Sequence, residues 1–90
     1  MTRWRLQTSP QFDKAARQID PPILRRIRFY LEEVCELDDP RQRGKGLTAN
    51  LAGYWRYRIG DWRVIAQIRD DELVIVAIGL AHRSEIYREQ

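Results

Sequence analysis

The stretch Tyr54–Arg69, YWRYRIGDWRVIAQIR, leaves this chain few ways to fold. Tyr54–Ile59 and Trp62–Arg69 are rich in aromatic and β-branched residues, and the Gly60-Asp61 pair between them is a two-residue hairpin connection. With those two residues as the loop, Ile59 stands opposite Trp62 and Arg58 opposite Arg63. Antiparallel partners share a face, and faces alternate along each strand. One face then carries Trp55, Tyr57, Ile59, Trp62, Val64, Ala66 and Ile68, which is a core face on which both tryptophans read as packing residues. The other carries Tyr54, Arg56, Arg58, Arg63, Ile65, Gln67 and Arg69.

Arg56, Arg58 and Arg63 thus converge on one patch of a stiff ribbon. Like charges directly opposite each other destabilise a hairpin, so stability alone gives little reason for the arrangement. Two readings are open. A strand face turned to water must be polar, and arginines there keep a sheet soluble and its edge unpaired. Alternatively, the guanidinium groups form a preorganised anion site, because they hold their charge, fork onto phosphate oxygens and stack on bases.

The charge balance of the whole chain bears on that choice. The net charge is only +3, but it is unevenly spread. Residues 1–39 hold seven Lys/Arg and seven Asp/Glu. Residues 40–69 hold Arg41, Arg43, Lys45, Arg56, Arg58, Arg63 and Arg69 against Asp61 alone. Residues 70–90 hold Arg83 and Arg88 against five acids. A basic middle third is the electrostatic footprint of a polyanion binder, and would also suit an acidic protein partner. Arg41, Arg43, Lys45 and Arg69 are therefore candidate polyanion-contacting residues around the hairpin arginines, RNA-binding ones if the polyanion is RNA.

Other function classes recede. Ninety residues, 43% of them hydrophobic, make one domain with one modest core, expected to span residues 1–90. No apolar run reaches the ~18 residues of a membrane span. The opening MTRWRLQTSP lacks the apolar core of a secretion signal, and the lone Cys35 forbids an internal disulfide, so a cytoplasmic protein is expected. Cys35 falls on an apolar helical stripe and reads as a buried structural thiol. One histidine and one cysteine do not make an ordinary zinc site, and no glycine-rich phosphate loop is present, so neither metal nor cofactor is expected.

The remaining segments supply a frame for the hairpin. Arg3–Thr8 alternates as a short strand with Trp4 and Leu6 on one face. Ser9-Pro10 reads as N-cap and first helical residue of a helix over Gln11–Gln18. Asp20 caps a second helix, over Pro22–Glu36, whose Ile23, Ile27, Tyr30, Leu31 and Val34 form an apolar stripe. Glu32, Glu33 and Glu36 sit at the wrong end of that helix for its dipole, and whether they pair with the basic segment that follows is left open by the sequence. Asp38–Gly53, interrupted by Pro40, Gly44, Gly46 and Gly53, reads as a loop with a flexible basic tip at Gly44-Lys45-Gly46. Leu47 and Leu51 are expected to tuck it against the core. Leu73–Leu80 is apolar throughout and should be a central strand, covered on both sides for part of its length. The order β-α-α-β-β-β predicts an α+β domain, with a helical hairpin packed on a small, largely antiparallel sheet and the first strand beside the last.

Three segments together resemble the RelE toxins of the RelE/ParE superfamily. They are the helical hairpin with the loop ending GLTANLAG, the hairpin YWRYRIGDWRVIAQI, and HRSEIYRE after the last strand. The resemblance covers essentially the whole chain. It implies a toxin of a type II toxin–antitoxin pair, an endoribonuclease that cuts messenger RNA in the A site of the 70S ribosome. It also implies a cognate RelB-like antitoxin bound in a hetero-oligomer. The family's paired basic residues match Arg56 and Arg58, the basic residue opening the next strand matches Arg63, its C-terminal tyrosine matches Tyr87, and the arginine of its ending matches Arg83. Three positions depart from the pattern. The best-known RelE proteins have lysines at the Arg56 and Arg58 positions and an arginine where this chain has Ala81. His82 is the replacement candidate for proton transfer.

The implied reaction is attack of an RNA 2′-hydroxyl on the adjacent phosphate, leaving a 2′,3′-cyclic phosphate and a 5′-hydroxyl, with no metal required. The nucleophile is intramolecular, so geometry supplies much of the rate and charge stabilisation at the phosphate the rest. Arg63, with Arg58 beside it, suits that second role. Arginines are poor bases, whereas a histidine such as His82 has the range for proton transfer, and Tyr87 could orient the 2′-hydroxyl, move a proton or stack on a base. The plainer readings are a loop histidine without a task and a tyrosine that anchors the tail. Two rival functions stay open: a ParE-like poison of DNA gyrase, and a non-catalytic module that binds RNA or antitoxin.

Overall fold

The computed structural model describes residues 3–88, with side chains as far as Glu85. In chain order it contains β1 (Arg5–Thr8), α1 (Pro10–Ala16), α2 (Pro21–Glu36), β2 (Lys45–Gly46), β3 (Trp55–Ile59), β4 (Trp62–Arg69), β5 (Val74–His82) and α3 (Arg83–Arg88). The strands form one sheet in the order β1-β5-β4-β3-β2. β1 runs parallel to β5, and every other pair is antiparallel. The α+β class holds, with β5 inside the sheet and β1 beside it. The edge strand β2 and the terminal helix α3 are additions to the expected order.

Both long helices bury their apolar stripes on one face of the sheet. Phe12 and Ile19, from α1 and the turn after it, join Ile27, Leu31, Val34 and Cys35 of α2 in a single core cluster. The sheet contributes Tyr57, Ile59, Val64, Ala66, Ile75 and Ala77 to that cluster. Burying one such large aliphatic side chain contributes about 1.5–3 kcal/mol. Cys35 is a buried free thiol, and burial, reinforced by Glu32 and Glu36, pushes its pKa up.

The two helix starts differ. The Ser9 Oγ accepts the Phe12 N–H at 3.0 Å and donates to the Ile78 carbonyl at 3.0 Å, so one hydroxyl caps α1 and ties it to β5. Asp20 occupies the N-cap position of α2 but makes no side-chain cap bond. Prolines at the first two helical positions have no N–H to offer it.

Asp38–Gly53 is not a loose loop. It contains two single 3₁₀ turns, at Pro40–Gln42 and Ala49–Leu51, and between them β2 pairs with β3. The Tyr57 hydroxyl donates to the Pro40 carbonyl at 2.8 Å, and Trp55 Nε1 donates to the Arg43 carbonyl at 2.6 Å. Burial pushes the Tyr57 phenol far above its ordinary pKa. Gly44 has φ +80°, and a Cβ there would lie 2.5 Å from the Arg56 carbonyl oxygen. The expected flexible tip is therefore stapled to β3. Leu47 is half-buried as expected, but Leu51 is 49% exposed.

One irregularity decides the faces of the long strand β5. Ile65 pairs with Gly79, yet its neighbour Ala66 pairs with Ala77, so Ile78 is a bulge. A bulge adds one residue and inverts the alternation beyond it. Ile75 and Ala77 point into the helical core before the bulge. After it, Leu80 and His82 pair with Val64 and Trp62 on the helical side, while Gly79 and Ala81 take the outer face.

Candidate functional site

Gly60 has φ +58° and Asp61 has no positive φ, the φ pattern of a type II′ hairpin turn. The register follows from it: Ile59 opposite Trp62, Arg58 opposite Arg63. On the outer face, Lys45, Arg56, Ile65 and Gly79 form one row across four strands. Arg58, Arg63 and Ala81 form the next row. Directly opposed side chains have Cβ atoms about 5 Å apart. Lys45, Arg56, Arg58 and Arg63 are thus one cationic block, and the small Gly79 and Ala81 leave its β5 flank low.

The four cations are not equivalent. Lys45 and Arg58 are exposed and Arg56 is half-buried. Arg63 lies on the expected face but is only 4% exposed. Its Nη1 donates to the carbonyls of Gly60 at 2.9 Å and Trp62 at 3.0 Å, so the guanidinium clasps its own turn. It is a held charge opposite Arg58 rather than a second exposed one.

Charge pairing divides the basic middle third. Arg41 makes a bidentate pair with Asp70, at 2.9 and 2.7 Å, and lies 3.4 Å from Asp39. Hydrogen bonding from Arg41 holds the Asp70 carboxyl below the usual carboxylate range. Arg43 stands 3.4 Å from Glu33, with its guanidinium 5.3 Å from the centre of the Tyr30 ring. Arg69 approaches Glu72 at 3.8 Å, and Arg83 approaches Asp61 at 3.8 Å. Among the described residues no carboxylate forms an ion pair with Lys45, Arg56, Arg58 or Arg63.

The structure does not bring His82 to that block. Its ring sits on the helical side, edge-on to Trp62 with centroids 5.3 Å apart. Its Nδ1 lies 3.0 Å from Ser84 Oγ and accepts the Ser84 N–H at 3.3 Å, while its own backbone N–H donates to Glu85 Oε1 at 3.1 Å. Tyr87 falls in α3, and its side chain lies outside the described residues. The partners of His82, Ser84 and Glu85, carry one sequence signal, a glutamate three residues after a polar residue at a helix start. Among the described residues no three His, Cys, Asp or Glu side chains gather as metal ligands, and no helix is long and apolar enough to cross a membrane.

Residues 4–87 match the family described as the ParE toxin of the type II toxin–antitoxin system parDE. The chain belongs to this family of toxins, within the RelE/ParE superfamily. Toxin RelG of Mycobacterium tuberculosis is 36% identical over 50 residues, which is 56% of this chain and 58% of RelG, so the match spans little more than half of that relative. The RelBE2 toxin–antitoxin complex of M. tuberculosis contains a chain that superposes with a TM-score of 0.83 at 22% identity, over 93% of this chain and 95% of that one. The archaeal RelE–RelB complex of Pyrococcus horikoshii gives 0.71 at 26% identity, over 92% and 97%.

Proposed function

We propose that this toxin is an endoribonuclease that cuts messenger RNA in the A site of the ribosome, in the cytoplasm, and is held inactive by a cognate antitoxin. The observation that carries the reading is the cationic block on the outer sheet face. Lys45, Arg56 and Arg58 stand there without a carboxylate partner among the described residues, while Arg41, Arg43, Arg69 and Arg83 at its margins are paired. Such a block has a polyanion as its natural ligand. The solved RelE–RelB complexes that share the fold support an antitoxin partner, which would cover this charge.

The chemistry follows from the side chains. Arg56 and Arg58 grip the phosphates on either side of the scissile bond and align the 2′-hydroxyl with the phosphorus. Arg63, fixed to the turn carbonyls, holds positive charge near the phosphate without reorganising as negative charge grows there. The P–O5′ bond breaks as the 2′-oxygen bonds to phosphorus; the 2′ proton leaves and the 5′ oxygen gains one. Arginines do not exchange protons in this range. We assign proton handling to Tyr87 on the resemblance of the HRSEIYRE ending to that of RelE toxins.

A second reading, poisoning of DNA gyrase, draws on the ParE description of the matched family. The deciding experiment is primer extension on a ribosome-bound message treated with antitoxin-free protein, beside the same naked RNA and a gyrase cleavage assay. Cuts within the A-site codon, absent from naked RNA, are the expected result. Folded protein that leaves both RNAs intact but traps gyrase on cleaved DNA would replace the first reading with the second.

A further inference from the structure

His82 ends β5 and Arg83 opens α3, so His82 is the N-cap of that helix, Ser84 its second residue and Glu85 its third. The contacts are reciprocal. The His82 side chain accepts the Ser84 N–H, and the Glu85 side chain accepts the His82 N–H. This is a capping box in which an imidazole nitrogen stands where a serine or threonine hydroxyl usually does. Because Nδ1 receives an N–H, it presents a lone pair, and the proton of the neutral ring is on Nε2. Trp62 braces the ring edge-on, and the Arg83 N–H donates to the Asp61 carbonyl at 2.7 Å, joining the same junction to the hairpin turn.

The bulge at Ile78 has turned this ring to the helical side, whereas Arg58 and Arg63 point outward. A ring on that side, with Nδ1 committed to backbone, is poorly placed to exchange protons with a phosphate gripped on the other. We infer that His82 is a positioning residue: it caps α3 and so sets the path by which residues 83–88, Tyr87 among them, leave the end of the hairpin. The positioning of Tyr87 for RNA rests on the proposed function; the cap itself does not.

The test compares the full chain with His82→Ala and His82→Asn. Asparagine is a good N-cap, and its side-chain oxygen can take the place of Nδ1 without acting as an acid or base. Two quantities are read: amide hydrogen exchange across residues 83–88, and the single-turnover rate and pH profile of cutting on ribosome-bound message. His82→Ala is expected to speed α3 exchange about 5-fold, the effect of losing a typical cap, and to slow cutting. His82→Asn is expected to restore both and keep the wild-type pH profile. Unchanged exchange in His82→Ala would overturn the cap. Asparagine that restores exchange but not cutting would show that the imidazole acts in the reaction itself. If the wild-type protein cuts nothing, the proposed function has failed, and the exchange comparison alone still upholds or overturns the cap.

Discussion

The basic middle third of this chain separates into two groups of cations with different fates. Near the β4–β5 turn and along α2, Arg41, Arg43 and Arg69 are each matched by a carboxylate from another part of the chain or from the turn itself. Toward the β3–β4 turn, Lys45, Arg56, Arg58 and Arg63 share one sheet face and no ion pair among the described residues. In sequence the first group flanks the second, and the two are chemically alike. The first fastens the 40–53 segment and the turns to the rest of the molecule. The second accumulates like charge on a rigid ribbon, a cost that binding an anion would offset. Local charge density therefore does not separate the two groups; ion pairing and a shared sheet face do.

The sharpest way to break this contrast is to remove one charge from each group. Arg58→Ala should lower the cutting rate by ~10²–10³, the usual cost of one preorganised donor, without changing thermal stability. Arg41→Ala should leave the single-turnover rate on ribosome-bound message at the wild-type value. Equal losses in the two variants would erase the distinction between them.

Arg63 belongs to the unmatched group but also holds its own turn. Arg63→Ala strips the Gly60 and Trp62 carbonyls of their partner, and should cost about 1–3 kcal/mol in urea unfolding as well as the rate. Arg63→Ala with wild-type stability would show that the clasp contributes nothing. Gly44→Ala asks how Lys45 is held in place. Its left-handed φ and the 2.5 Å approach to the Arg56 carbonyl should make the change cost about 1–3 kcal/mol and loosen β2, raising amide exchange at Lys45 and Gly46. Exchange that stays slow would mean β2 tolerates a Cβ.

The smallest expected effect lies in the matched group and depends on pH. Arg41 depresses the Asp70 pKa in the folded state below its ordinary 3.8, so the pair contributes stability above that value. The contribution is lost as pH falls through the lower, folded-state pKa. Wild type and Arg41→Ala should therefore differ in urea midpoint at neutral pH and converge in acid. A constant difference across the titration would assign the effect to packing of the Arg41 stem.

The hairpin register was legible because it is local. Period-two alternation and a Gly-Asp turn fix which residues oppose which, and the pairs in the structure agree. The α2 stripe was legible for the same reason, since its three- and four-residue spacing is written along one helix. β2 was not, because an edge strand of two residues exists only through its partner β3. Nor was α3, whose short run has little helical tendency without its cap.

What the sequence determined by itself is the family, the α+β order of the main elements and the arginine face of the hairpin. These rest on short-range periodicity, turn chemistry and a motif. What only the tertiary structure decided is which cations are neutralised, how deeply Arg63 is buried and which way His82 points. Ion pairing joins residues as distant as Arg41 and Asp70. The side on which His82 falls turns on a single bulged residue, Ile78, because inserting one position into a period of two sends every later side chain to the opposite face.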